Sequence, residues 1–194
     1  MHNLCVDLDI PIWPVKNHVP LNTMNDYWNR LPHDWINPEI VRFLESLGLT
    51  FRIIDYFYLK PYQSGVIHID SHDQEKTSIT KLNWSSNLDH KMNFYGYKDK
   101  VVTKKWQRID HDIPAYTTSF NSKDLNLLES YVIKKPTLLD GNVPHNVVNG
   151  SEERHCFSIA LRYKGRHNDM FLPFEEAINY FSSYIVRSNT NSYS

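Results

Sequence analysis

From Phe51 to Tyr163 the chain is a succession of short segments rich in Tyr, Phe, Ile, Val and Thr. Each is cut off by turn residues, among them Pro61, Ser64-Gly65, Asn87, Asp99, Asp140-Gly141 and Asn149-Gly150. Long helices do not fit between such stops, whereas antiparallel strands do. The pattern predicts strands near 51–59, 65–70, 78–85, 91–97, 114–118, 131–139, 143–149 and 154–163. Eight strands suit a mainly β fold with flanking helices, a jelly roll. Asn149-Gly150 is the clearest turn and is expected to pair the last two strands as a hairpin.

The flanks read differently. Residues 1–50 are expected to form an N-terminal helical layer with loops. Asn37-Pro38-Glu39 opens a helix there, because Asn accepts from exposed backbone N–H groups and Pro at the first helical position gives up no hydrogen bond. Ile40, Val41, Phe43, Leu44 and Leu47 then line one face, and Gly48 ends it. After Pro173, residues Phe174, Ala177, Ile178, Phe181 and Ile185 share a face of a closing helix over 174–187, with a frayed tail at 188–194. The organisation expected is a single domain over 1–194, with the helical layer 1–50, the β core 51–163 and the C-terminal helix and tail 164–194.

A chain of 194 residues that is 41% apolar and 13% aromatic can bury a core and lies outside the disordered class. Its formal net charge of -1 argues against nucleic acid as a partner. No apolar run reaches the roughly 20 residues that span a bilayer, so no membrane partner is expected. With only Cys5 and Cys156, and no basic-then-apolar opening segment, the chain is expected to be cytoplasmic and disulfide-free. Oligomeric state is not legible.

His68-Ile69-Asp70 closes a predicted strand, and strand alternation sends an imidazole and a carboxylate to the same side. His145 lies on a later predicted strand and completes a set of two histidines and one carboxylate. That set, placed facially, suits a non-heme Fe(II) with open positions. Among 10 histidines an H-x-D triplet arises by chance, so context decides. His167-Asn168-Asp169 lies beyond the strands with no later histidine to complete it. His72 with Asp70 is a register alternative that stays open, and Asp110-His111-Asp112 reads as a surface loop. Lys98, Lys100, Lys104, Lys105 and Arg108, with Trp106, read as a solvated basic face.

On the last strand Arg154, Cys156, Ser158, Ala160 and Arg162 share one face, and Phe157, Ile159 and Leu161 the other. Buried arginines need an acidic partner, and a dicarboxylate that also reaches the metal would serve. Arg154 and Arg162 are both candidates for that contact.

His68-Ile69-Asp70, His145 and Arg154 nine residues later resemble the motif of the Fe(II)/2-oxoglutarate-dependent dioxygenases over residues 51–163, which implies a double-stranded β-helix, a cupin-like jelly roll with helices packed on its larger sheet. His145-x-Val147-x-Asn149-x-Ser151-x-x-Arg154 is similar to the aspartyl/asparaginyl β-hydroxylase-like branch. The Gly65–Asp70 segment and Arg154 also resemble prolyl 4-hydroxylase-like members, so the branch is open. The resemblance implies Fe(II) on His68, Asp70 and His145, with 2-oxoglutarate and O2 as co-substrates. It implies Arg154 on the distal carboxylate of 2-oxoglutarate, assisted by Ser158. Asn83 and Tyr58 are further candidates for the co-substrate, and Tyr62 and Trp84 for the surrounding shell. The implied reaction hydroxylates an amino-acid side chain, free or peptidyl, or a similar small metabolite, and releases succinate and CO2. Selectivity would lie in loops such as 71–77 and 98–114. Two other readings compete: a cupin-like metal enzyme without 2-oxoglutarate, and a non-catalytic jelly-roll binding module.

Overall fold

The computed structural model describes residues 4–16, 20, 24, 27–71, 79–98, 103–108, 115–165 and 170–186. Its strands are β1 (Cys5–Asp7), β2 (Trp28–Arg30), β3 (Leu49–Thr50), β4 (Ile54–Leu59), β5 (His68–Ser71), β6 (Thr80–Ser85), β7 (His90–Tyr97), β8 (Thr103–Arg108), β9 (Ala115–Phe120), β10 (Leu125–Tyr131), β11 (Thr137–Asp140), β12 (His145–Asn149), β13 (Arg154–Ala160) and β14 (Arg162–Tyr163). The helices are α1 (Pro38–Ser46) and α2 (Phe174–Tyr180). Among the described residues no helix is long and apolar enough to cross a membrane.

Two six-stranded sheets run in the orders β1-β11-β6-β13-β4-β2 and β10-β7-β12-β5-β9-β8. From β4 to β7, and again from β10 to β13, successive strands alternate between the sheets. β4, β6, β11 and β13 therefore form one wall, and β5, β7, β10 and β12 the other. This is the winding of a jelly roll, the double-stranded β-helix predicted from the sequence.

Alternation along β4, β6 and β13 gives the first sheet two unlike faces. Ile54, Tyr56, Leu82, Trp84, Phe157 and Ile159 turn outward and are almost wholly buried beneath α1, α2 and the N-terminal segment. Ile40 and Leu44 of α1, and Phe174, Ala177 and Phe181 around α2, close over them. This is the main hydrophobic core, each large side chain contributing about 1.5–3 kcal/mol by leaving water. Asp55, Lys81, Asn83, Arg154 and Ser158 are buried too, and sit on the opposite face, between the sheets.

Several expectations change. Among the described residues of 1–50 are one α-helix, a 3-10 turn at His33–Trp35, and strands that the helical reading omitted. β1 pairs with β11 and β2 with β4, so the N-terminal segment covers both edges of the first sheet, whose backbone groups would otherwise lack partners. The helix start is as read: Asn37 accepts from the Glu39 N–H at 3.0 Å. Gly48 adopts φ +71 just past the helix end. The closing helix is shorter than expected, ending at Tyr180 and giving way to a 3-10 turn at Ser182–Tyr184. The segment 131–139 is split between β10 and β11 around Pro136, whose missing N–H suits a break rather than a ladder. β12 and β13 do not form a hairpin; β12 pairs with β5 and β7, β13 with β4 and β6, and Asn149-Gly150 carries the chain from one sheet to the other. Thr103–Arg108, read as part of a basic loop, is a strand paired with β9. His72, Asp110-His111-Asp112 and His167-Asn168-Asp169 lie outside the described residues, as does the 188–194 tail.

His90 ties the second sheet to the β10–β11 connection. Its Nε2 accepts from the Ile133 N–H at 3.1 Å while Nδ1 donates to Asn87 Oδ1 at 3.3 Å, a pair of contacts open only to the neutral ring. Burial first, then Arg154, pushes its pKa down to about 4. A pKa lowered on folding makes the neutral ring a source of stability that is complete above the unfolded value of about 6.5 and lost as pH falls toward 4. Thermal unfolding followed from pH 7 to pH 4 should show this loss. His90→Gln should show a shallower slope over that window; a slope equal to the parent's would contradict the assignment.

Candidate metal centre

β5 and β12 lie side by side with His68 directly opposite His145. Alternation along β5 puts Asp70 on the same side as His68. The imidazole centroids are 4.6 Å apart. Asp70 Oδ1 is 3.8 Å from His68 Nε2, and Asp70 Oδ2 is 3.7 Å from His145 Nε2. One donor atom from each of the three residues lies within 4.8 Å of the others.

The rings are oriented for ligation. His68 Nδ1 donates to the Val66 carbonyl and His145 Nδ1 to the Val143 carbonyl, each at 2.8 Å. A carbonyl only accepts, so Nδ1 of both rings carries a proton and Nε2 of both faces the cluster. Burial, followed by the neighbouring His68 ring, pushes His145 down to about 4 while Asp70 pulls the other way. His145 is thus neutral near pH 7, the state a metal requires. Side-chain exposures of 22% for His68 and 21% for Asp70, against 6% for His145, leave the cluster open on its β5 side.

Asp70 is held by the turn after β11. Its backbone N–H donates to the Gly141 carbonyl, and the Gly141 N–H to Ile79, each at 2.8 Å. A Cβ on Gly141 would come within 2.9 Å of both Asp70 Oδ2 and the Ile79 carbonyl oxygen. The glycine is required here by close approach.

A pocket opens from the cluster between the sheets, with an empty volume of about 520 Å³ counted out to bulk solvent. Arg154 and Ser158 of β13 and Asn83 of β6 line it. Arg154 is 2% exposed, yet its Nε and Nη2 have no hydrogen-bond partner, and Asn83 Oδ1 is likewise buried and unpartnered. Arg162 lies elsewhere, its guanidinium stacked 3.7 Å above the Phe171 ring.

Tyr58 is not part of the pocket. It follows Phe57 on β4 and so takes the other face, where its hydroxyl donates to Glu153 Oε1 at 2.8 Å and its ring packs on His155. Trp84 also faces outward, donating to the Ile12 carbonyl at 3.0 Å, and Tyr62 is exposed.

Tyr27 and Lys81 are among the pocket residues that escaped sequence reasoning. Tyr27 reaches in from the N-terminal segment, its hydroxyl 2.8 Å from where a Gly65 Cβ would stand, so Gly65 makes room for it. Lys81 of β6 is buried with Nζ 3.5 Å from Asp55 Oδ2 and 3.9 Å from Asp70 Oδ1. Burial opposes its charge, but Asp70 and Asp55 more than offset that and hold its pKa above the ordinary lysine value. The polar alternation Lys81, Asn83 between Leu82 and Trp84 was the available signal.

No known family profile and no curated protein matches this chain. Among solved structures, an oxalate oxidase in complex with the substrate analogue glycolate is similar over 89% of this chain and 78% of its own, at 12% identity and a TM-score of 0.36. The fold assignment rests on the strand order, and the three-residue cluster on its own geometry.

Gly141→Ala should force Asp70 out of place. Titration of the protein with Mn(II) should show affinity weakened by about 10- to 100-fold, the range for loss of a ligand's support. Parent-like affinity would mean that Asp70 is not held by this turn.

Proposed function

We propose that the protein is an Fe(II)- and 2-oxoglutarate-dependent oxygenase that hydroxylates an amino-acid side chain or a similar small metabolite. The observation that carries this reading is a buried guanidinium with two unpartnered N–H-bearing atoms in the same pocket as a two-histidine, one-carboxylate cluster.

The donor set fits the metal: two neutral imidazole nitrogens and a carboxylate oxygen are what non-heme Fe(II) sites use, and the number of ligands leaves positions open. Charge supports the co-substrate. Asp55 balances Lys81, and Asp70 offsets half of a divalent cation. The excess is then one positive charge at the metal end and one on Arg154. A dicarboxylate meets both, whereas a neutral or monoanionic ligand leaves a buried charge uncompensated, at a cost of several kcal/mol.

On this reading His68, Asp70 and His145 hold Fe(II). Arg154 takes the far carboxylate through a guanidinium fork, and Ser158 and Asn83 offer shorter polar contacts along the same wall. When bound, the iron and its keto acid supply the oxidation, coupling decarboxylation to succinate and CO2 with hydroxylation of the substrate by O2. The chain's own part is orientation and exclusion of water. Tyr27 and Phe57 close one side of the pocket, and the intersheet apolar residues Met92 and Val147 limit the water inside it.

Under anaerobic conditions Fe(II) with 2-oxoglutarate should give a weak visible charge-transfer band, and His68→Ala and Asp70→Ala should abolish it together with metal binding. Arg154→Met should leave Mn(II) binding in place and weaken 2-oxoglutarate binding by about 100-fold or more. Metal binding without keto-acid binding in the parent would point to the metal enzyme that uses no 2-oxoglutarate. Absence of stoichiometric metal binding would point to a non-catalytic jelly roll.

A further inference from the structure

Lys81 has no role in the reading above, although it is buried beside the cluster. Its ammonium is shared between two carboxylates, with Asp55 Oδ2 at 3.5 Å and Asp70 Oδ1 at 3.9 Å. Asp55 lies on β4 and Lys81 on β6, the two strands that flank β13, so the pair spans the central strand of the first sheet. From there it reaches across the pocket to a residue of the second sheet. Lys81 is 6% exposed and Asp55 8%, and neither can swing out to water without giving up its partner.

The two oxygens of Asp70 are therefore unlike. Oδ2 faces His145 Nε2 and rests over Gly141, while Oδ1, 3.8 Å from His68 Nε2, also has the ammonium beside it at 3.9 Å. A carboxylate can ligate a cation through one oxygen or through both, and the second mode occupies a further coordination position. An ammonium near one oxygen repels a cation that approaches from that side.

We propose that Lys81, anchored by Asp55, is a positioning residue that reserves Asp70 Oδ1 and makes Asp70 a one-oxygen metal ligand. The consequence is a centre with three protein donor atoms, its remaining positions kept for exchangeable ligands at the expense of metal affinity. The proposal rests on the reading that His68, Asp70 and His145 hold a divalent metal, but not on 2-oxoglutarate.

The test uses Mn(II) alone. Lys81→Met keeps an unbranched side chain one atom shorter and removes the charge. Because that leaves Asp55 buried without its partner, the double variant Lys81→Met with Asp55→Asn removes both charges together and guards against misfolding. Calorimetric titration should show Mn(II) bound about tenfold or more tightly by both variants than by the parent, since repulsion is relieved and the second oxygen released. Electron paramagnetic resonance of the Mn(II) protein in 17O-enriched water should show fewer exchangeable waters on the metal than in the parent. A merely structural lysine predicts the opposite, weaker binding with the water count unchanged. Parent-like or weaker affinity in the folded double variant would overturn the proposal. A parent that binds no Mn(II) would sink the metal reading itself, a distinct result.

Discussion

A strand shows alternate side chains to opposite faces, and the first sheet uses that alternation to keep hydrocarbon and charge apart. Phe157 and Ile159 go outward into the helical layer, while Arg154, Cys156 and Ser158, on the same seven-residue strand, go inward. The stability of the barrel thus does not depend on filling its interior with apolar side chains. The outer core bears that load, and the interior can hold the buried cations Arg154 and Lys81. A jelly roll stabilised only from within would have no room for such a pocket.

The second sheet supplies the geometry. His68 and His145 are direct neighbours across β5 and β12, so their separation is set by the spacing of strands rather than by a flexible loop. Backbone carbonyls two residues earlier in the chain fix each ring, and the Gly141 turn fixes the carboxylate. Every element of the cluster is therefore held by main-chain atoms, which a substitution elsewhere disturbs little.

Much of this was legible because it depends on alternation and turn chemistry. The His68–Asp70 pairing, the two faces of β13 and the cap at Asn37 all follow from period-two or capping rules applied to a few residues. What escaped depends on partners distant in sequence. Three-residue strands such as Trp28–Arg30 have too short a pattern to register, and they form because an exposed sheet edge is available to them. Lys81 read as one polar residue on a strand, since nothing local announces that Asp55 will stand two strands away. Tyr58 was misplaced by one residue of phase: Phe57 is the side chain that faces the pocket. The segment 98–114 was read as a loop because its run of lysines is poor in strand formers, yet Thr103–Arg108 pairs with β9.

Stacking of Arg162 on Phe171 withdraws that guanidinium from the interior and leaves Arg154 as the one arginine among the described pocket-lining residues. The cavity accordingly has a head and a foot. On the proposed reading, a rod-shaped acid would meet the guanidinium at one end and the two imidazoles at the other. On that reading, a cation–π contact made outside the cavity would help to set which way round the guest lies inside it.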